Sequence, residues 1–147
     1  MTRTDDDRAQ WMSTLASALP NELAARFEEL PEKPEFTWLK KPEHGAVLLR
    51  GRISGDGAPF HFGEMTVTRC SVALADGLIG IAYVPGRSKR HAMIAAILDA
   101  LLQRSAEGRN AARRLVDDLA HVIDMRRREA TAKTRQSEVD FTMTATE

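Results

Sequence analysis

Residues 60–84, "FHFGEMTVTRCSVALADGLIGIAYV", decide the fold class that the sequence predicts. Side chains in the first half of this stretch alternate between two sides of an extended chain: Phe62, Thr66, Thr68, Cys70, Val72 and Leu74 on one, and Met65, Val67, Arg69, Ser71 and Ala73 on the other. The Asp76-Gly77 pair that follows is typical of a tight hairpin turn. The stretch therefore predicts two antiparallel strands, with residues 78–84 as the second.

Two more strands are predicted before this hairpin, in residues 36–39 ("FTWL") and 46–53 ("AVLLRGRI"), joined by the connection "KKPEHG". Four strands with short connections favour an antiparallel meander in an α+β fold. The expected single domain, 1–147, has N-terminal helices in 1–30, an antiparallel sheet in 36–84, helices in 87–125 and a projecting C-terminal arm in 126–147.

The predicted helix from about Arg87 to Gln103 is apolar almost all round, interrupted by Asp99. A helix with one solvated face would show a narrower apolar stripe. Two explanations remain open: the helix is buried under the sheet and a neighbouring element, or it lies in a subunit interface.

The C-terminal arm combines a polar segment with an apolar end. Residues 126–138, "RRREATAKTRQSE", contain good helix formers without an apolar stripe, and Val139, Phe141 and Met143 then share one side of an alternating tail. Such a segment is expected to order against another chain. A frayed C-terminus is the alternative.

Composition narrows the classes of function and location. The formal net charge is zero and aromatic residues make up 5% of the chain, which argues against nucleic-acid binding. Cys70 is the sole cysteine, so no internal disulfide can form, and a reducing cytoplasm fits best. No stretch resembles a signal peptide or a membrane span, so a soluble protein without membrane association is expected.

The residues of the chain do not predict a self-contained catalytic site. The four histidines are scattered, no metal-binding spacing occurs, and "PGRSKRH" (85–91) lacks the pattern of a phosphate-binding P-loop. Catalytic residues remain unknown at this point, and neither a metal nor a cofactor bound by this chain is expected.

Two groups of bases are candidates for binding an anion or a partner. Arg87, Lys89 and Arg90 stand at the start of a predicted helix, where the helix dipole disfavours cations and a phosphate or an acidic protein patch would compensate. The alternative is that the three bases are solvated and tolerated there. Arg69 lies in the middle of a strand among apolar residues and needs a carboxylate, a phosphate or solvent. An internal partner such as Glu64 or Asp76 is the simplest expectation.

Three motifs together resemble one known family, the G subunit (PhnG) of the bacterial carbon–phosphorus lyase system. They are a strand motif at Gly63, Glu64, Thr66, Thr68 and Arg69, a helix start at Gly86, Arg87, His91 and Ala92, and a run at Asp99, Ala100, Leu101 and Gln103. The resemblance extends nearly end to end in the same order. Ser88 is a departure, because the family commonly has Asp there.

The resemblance implies a subunit that acts with others on alkylphosphonates. In that family the G subunit works with the I, H and L subunits in a magnesium- and ATP-dependent step, in which a phosphonate displaces adenine from the ribose of ATP. The I subunit is regarded as carrying the chemistry. The expected partners are the I, H, J and L subunits, I most directly, with two copies of this chain in the complex and Mg-ATP as a substrate of the complex.

The residues expected to bind an anion or a partner are Arg69, Gly86, Arg87, Lys89 and His91, and those expected at a partner interface are Val139, Phe141 and Met143. We expect the negative partner of the helix start to lie across a subunit boundary. Two other functions stay open: an independent small phosphotransferase or nucleosidase using Arg69, Arg87 and His91, and a phosphonate-sensing module.

Overall fold

A computed structural model of the chain describes residues 3–52, 55 and 57–137. The predicted α+β class is confirmed, because this part of the chain forms four helices and one antiparallel sheet. The elements in chain order are α1 (Arg3–Ser17), α2 (Pro20–Glu28), β1 (Phe36–Arg52), β2 (Pro59–Leu74), β3 (Ile79–Pro85), α3 (Lys89–Leu102) and α4 (Ala106–Gln136). None of these helices combines the length and the apolar character that crossing a membrane requires.

The prediction of four strands is wrong, because the two segments expected before the hairpin belong to one long strand. The described sheet has three strands in the order β1-β2-β3. The "KKPEHG" segment does not turn back: register shifts between Trp38 and Lys40, and between Lys40 and Glu43, absorb its extra residues while pairing with β2 continues. Pro42 is tolerated there because β1 is an edge strand, where a missing N–H breaks no ladder on the outer side.

The predicted hairpin between β2 and β3 is confirmed. The strands pair antiparallel from Val67 opposite Pro85 to Ala73 opposite Ile79. The Asp76 carboxylate accepts a hydrogen bond from the Leu78 amide within the turn, at 3.3 Å. The Asp76 side chain therefore stabilises the turn that the Asp-Gly pair predicts.

Helix α3 is buried within this chain, which decides between the two explanations for its apolar surface. One side of α3 packs against the sheet, while α1, α2 and α4 pack around the rest of it. Eleven of its fourteen residues are buried. Most of its apolar surface is therefore covered inside the domain and is not left open for another subunit.

Gly80 permits the close approach of α3 to β3. A Cβ at this position would overlap with the backbone carbonyl oxygen of Ala96 on α3. Because backbone atoms cannot move away without shifting the helix, the packing of α3 on the sheet depends on the absence of a side chain here.

Asp99 joins three elements from the middle of α3. Its fully buried carboxylate receives two hydrogen bonds from Arg8, at 3.2 and 2.8 Å, and one from the indole nitrogen of Trp11 at 2.9 Å. It also accepts from the Ile81 amide on β3 at 3.0 Å, and Gln103 on the next helical turn donates to the Ile79 carbonyl at 2.8 Å. Asp99 and Gln103 thereby satisfy an amide and a carbonyl of the edge strand β3 that a fourth strand would otherwise pair with.

Helix α4 extends beyond the rest of the domain. Its buried residues end at Leu119, and every residue from Asp124 to Ser137 is exposed. The 31-residue helix is about 46 Å long at 1.5 Å per residue. The first part of the predicted arm is thus the end of α4, whereas Val139, Phe141 and Met143 lie outside the described residues.

Candidate functional site

The start of α3 is a regular capped helix N-terminus. Ser88 is the N-cap residue, and its hydroxyl accepts a hydrogen bond from the His91 amide at 3.1 Å. Ser and Asp are among the strongest N-cap residues because each carries a side-chain oxygen that can accept this bond. Ser88 therefore performs the capping role that an Asp would perform at this position.

The loop before α3 is hydrogen-bonded to β2. The Gly86 amide donates to the Thr66 carbonyl at 2.9 Å, and the Thr68 hydroxyl donates to the Gly86 carbonyl at 2.7 Å. Gly86 has a φ of 90°, a left-handed conformation that glycine adopts without steric cost. The strand motif and the helix-start motif of the sequence thus meet in space.

His44 on β1 completes this connection. Its Nδ1 lies 3.1 Å from the Thr68 hydroxyl oxygen. Since that hydroxyl already donates its hydrogen to Gly86, Nδ1 of His44 must be the donor to Thr68. A chain of hydrogen bonds therefore runs from the exposed His44 ring through buried Thr68 to the loop before α3.

The bases around the start of α3 differ in their partners. Arg90 forms an ion pair with Glu28 at 3.2 Å, and Glu28 also pairs with Lys33 at 2.9 Å. Lys33 and then Arg90 lower the pKa of the Glu28 carboxyl below its usual value. Arg87 and Lys89 are exposed and form no ion pair within the part of the chain that the structure describes.

His91 is buried and contacts the end of another helix. Its ring is 2% exposed, and Nε2 lies 2.7 Å from the Leu15 carbonyl in the last turn of α1. A carbonyl oxygen can only accept, so Nε2 carries a proton and caps one of the free carbonyls of α1. Nδ1 is buried without a hydrogen-bond partner among the described residues. His91 therefore connects α3 to α1 and is not open to solvent.

Arg69 lies on the opposite face of the sheet from Thr68, as alternation along β2 requires. Its Nε donates to the Glu43 carboxylate at 2.6 Å, so its partner is an internal carboxylate, although neither Glu64 nor Asp76. Glu43, and then the Tyr83 hydroxyl, raise the pKa of Arg69 above its usual value. Lys40 and then Arg69 lower the pKa of Glu43.

The five predicted site residues consequently do not converge on one point. Gly86, Arg87 and Lys89 lie together at the start of α3, while Arg69 and His91 are engaged elsewhere. Burial raises the pKa of the Cys70 thiol to about 11, which disfavours a nucleophilic thiolate. Among the described residues, no three His, Cys, Asp or Glu side chains come close enough to hold a metal ion.

Sequence reasoning missed the roles of His44 and Asp99. Nothing in the sequence connects His44 to Thr68, since the two residues meet only through the register of β1 and β2. Asp99 did carry a signal, because a lone carboxylate in an apolar helix needs buried donors around it. The sequence could indicate that need, but it could not identify Arg8 and Trp11 as the donors.

Comparison with known proteins relates these motifs to a family. The profile of the family described as phosphonate metabolism protein PhnG matches residues 6–145. A protein of Rhizobium meliloti (strain 1021), named alpha-D-ribose 1-methylphosphonate 5-triphosphate synthase subunit PhnG, is 38% identical over 144 residues. The match covers 95% of this chain and 92% of that protein. The chain therefore belongs to the PhnG family of phosphonate metabolism proteins.

Proposed function

We propose that this chain is a subunit of a carbon–phosphorus lyase complex, required for the step in which an alkylphosphonate displaces adenine from Mg-ATP. The product of that step is a ribose 1-phosphonate 5-triphosphate. The observation that carries the proposal is the 38% identity, over 95% of the chain, to a protein named as a subunit of such a synthase.

The geometry supports the role of a subunit that is not catalytic by itself. An independent phosphotransferase would need Arg69, Arg87 and His91 in one site. Arg69 is paired with Glu43 on the outer face of the sheet, and His91 is buried against α1. In the part of the chain that the structure describes, these three groups form no common anion site, which weighs against the independent enzyme.

The partners we propose are the I, H, J and L subunits, with the I subunit in the most direct contact and two copies of this chain in the complex. Mg-ATP is then a substrate of the complex, and this chain needs no cofactor of its own. A cytoplasmic location accords with one free, buried cysteine, since a reducing compartment keeps such a thiol intact.

Two surfaces are proposed to meet partners. The first is the start of α3, where exposed Arg87 and Lys89 lie beside free helix N–H groups and are expected to face a phosphate or an acidic patch across a subunit boundary. The second is the end of α4 with the tail that bears Val139, Phe141 and Met143. The helix from Asp124 onward supports this role because every described residue of it is exposed.

The test is co-expression of this chain with the I, H and J subunits and purification through a tag on the I subunit. We expect this chain to be retained in a fixed ratio to I after size-exclusion chromatography. Its absence from the purified complex would overturn the proposal.

The role of the α3 start is tested by Arg87→Ala and Lys89→Ala within the same complex, with Lys41→Ala, another exposed lysine, as the control. Lost turnover in an intact complex would indicate that these bases reach the substrate. Lost assembly would indicate an interface, and no change in either would contradict the proposed role.

A further inference from the structure

Thr68 differs from the other buried polar residues in the described part of the chain. His91 and Asp99 join elements of the core, since His91 bonds to α1 and Asp99 bonds to both α1 and β3. The Thr68 hydroxyl instead bonds to the His44 ring and to the Gly86 carbonyl, and both of these residues are exposed. A fully buried hydroxyl costs free energy unless it is hydrogen-bonded, so these two bonds account for its presence.

Packing alone does not require a hydroxyl at this position of β2. Cys70, Val72 and Leu74 follow Thr68 on the same face of the strand, and all three are buried apolar residues. Valine is branched at Cβ like threonine and would occupy nearly the same space. It would lack only the bonds to His44 and to the loop before α3. The hydroxyl of Thr68 therefore serves the position of that loop.

The backbone is held on both sides of Arg87. The Gly86 amide donates to the Thr66 carbonyl at 2.9 Å and the Gly86 carbonyl accepts from Thr68 at 2.7 Å, so both groups are bonded to β2. Ser88, the N-cap residue, fixes the first turn of α3. Arg87 lies between these two fixed residues, and its exposed side chain therefore extends from a defined point of the backbone.

His44 sets the direction of the Thr68 hydroxyl. Its Nδ1–H donates to the hydroxyl oxygen at 3.1 Å, which leaves the hydroxyl hydrogen free to point at the Gly86 carbonyl. Hydrogen bonds in such a chain strengthen one another. Loss of the His44 donor should therefore weaken the bond that holds the loop, without removing a buried side chain.

We propose that Thr68 and His44 are positioning residues, which hold the Gly86 carbonyl so that Arg87 faces the negatively charged group expected at the start of α3. Neither residue has to touch that group, because both act through the backbone of the loop. The inference rests on the proposed function, to which it adds two residues of the sheet.

The experiment measures kcat/KM for adenine release by this chain together with the I, H and L subunits. Thr68→Val removes the hydroxyl and keeps the branched shape, whereas Thr68→Ser keeps the hydroxyl. We expect a roughly five- to tenfold lower kcat/KM for Thr68→Val, the effect of one lost hydrogen bond, and a value near that of the wild type for Thr68→Ser. Val72→Ala removes buried atoms from the same strand face, and as the control for reduced stability it should change kcat/KM little.

His44 gives a second test that leaves the core intact, so the inference can be tested even if Thr68→Val does not fold. His44→Ala removes the donor to Thr68, whereas the side-chain amide of His44→Asn can donate from nearly the position of Nδ1. We expect His44→Ala to lower kcat/KM and His44→Asn to restore it. His121→Ala, which removes an exposed histidine of α4, is the matched control. Equal kcat/KM for His44→Ala and the wild type would contradict the role of His44.

Combination with Arg87→Ala shows whether Thr68 acts through Arg87. If it does, Thr68→Val causes no further loss of kcat/KM in a chain that already lacks the arginine side chain. Losses that multiply in the double variant would mean that Thr68 acts independently of Arg87, and would overturn the inference. If Arg87→Ala impairs assembly, the same comparisons are made on binding to the I subunit.

The remaining outcomes separate this inference from the proposed function. Turnover and binding that survive Thr68→Val and His44→Ala but not Arg87→Ala would make the inference alone wrong. If Arg87→Ala itself leaves turnover and assembly unchanged, the proposed role of the α3 start fails together with the inference. Co-purification with the I subunit tests the role of the whole chain as a subunit separately from both.

Discussion

Asp99 is the residue on which the packing of α1, α3 and β3 depends most. Its buried carboxylate accepts from Arg8, Trp11 and Ile81 at once, and Arg8 in turn has its pKa raised by its bond to that carboxylate. An amide could not replace it, because its NH₂ group would face donors that need an acceptor.

We therefore expect Asp99→Asn to lower the free energy of unfolding by about 2 to 3 kcal/mol. In the variant, water can hydrate the Arg8 side chain, which is 35% exposed. The loss of unfolding free energy should therefore be at the low end of the values for a buried ion pair. Urea unfolding measures the change. Asp76→Asn, which breaks the more exposed pair with Arg104, is the control and should have a much smaller effect. Equal effects from the two substitutions would contradict the central role of Asp99.

Cys70 allows a prediction about alkaline stability. Burial raises the pKa of its thiol from 9.0 to about 11. Between these two pKa values the thiol loses its proton in the unfolded chain and keeps it in the native chain. Deprotonation of Cys70 therefore leaves the free energy of unfolding unchanged below pH 9 and lowers it as the pH rises toward 11.

Cys70→Ala should remove this part of the decline, measured as the slope of unfolding free energy against pH. A thiol-labelling reagent at pH 8 should also react with the native wild-type chain far more slowly than with the unfolded chain. Rapid labelling of the native protein would mean that Cys70 is accessible.

At the scale of single elements, the contact between α3 and β3 is the most constrained. Gly80→Ala would place a methyl group onto the Ala96 carbonyl, and we expect a loss of about 3 kcal/mol of unfolding free energy. Gly63→Ala is the control, because no atom lies within 4 Å of the methyl group it adds. A Gly80→Ala protein as stable as the control would show that α3 can shift away from the sheet at little cost.

The end of α4 is expected to contribute to assembly much more than to folding. Ending the chain at Met125 removes the exposed ion pair between Arg126 and Glu22, so the unfolding free energy should change by less than about 1 kcal/mol. Binding to the I subunit should nevertheless be lost. As the control, Arg126→Ala in the full chain measures the contribution of the ion pair without shortening α4. A shortened chain that no longer folds would contradict this division of roles.

The elements show which parts of this fold are readable from sequence. The β2–β3 hairpin was predictable because Asp76 and Gly77 specify a local turn. The single long β1 was not, since Pro42 and Gly45 are typical turn residues. Register shifts against β2 and, for Pro42, the position of β1 at the sheet edge make this segment compatible with a strand. The apolar surface of α3 indicated burial correctly, although it could not distinguish a domain core from a subunit interface.

The candidate site was readable only in part for the same reason. Sequence spacing placed Gly86, Arg87 and Lys89 together because they are neighbours in the chain. The internal partners of Arg69 and His91 come from β1 and α1, at separations of 26 and 76 residues. Charge and periodicity indicate that such residues need partners, whereas the identity of the partners depends on the tertiary fold.

At the scale of the whole molecule, the described domain has a well-packed core and several surfaces without internal partners. Three exposed parts extend outward from that core: Arg87 and Lys89 at the α3 start, the end of the β1–β2 hairpin that β3 does not cover, and the end of α4. Its described residues do not bring the candidate site residues together, which accords with the proposed action through other subunits.

The most direct test of this account is the release of adenine from Mg-ATP in the presence of methylphosphonate. The assay compares this chain alone, the I, H and L subunits without it, and all four proteins together. We predict release only in the complete mixture. Release by this chain alone, or undiminished release when it is omitted, would contradict the role proposed for it, that of an obligatory subunit that does not catalyse the step by itself.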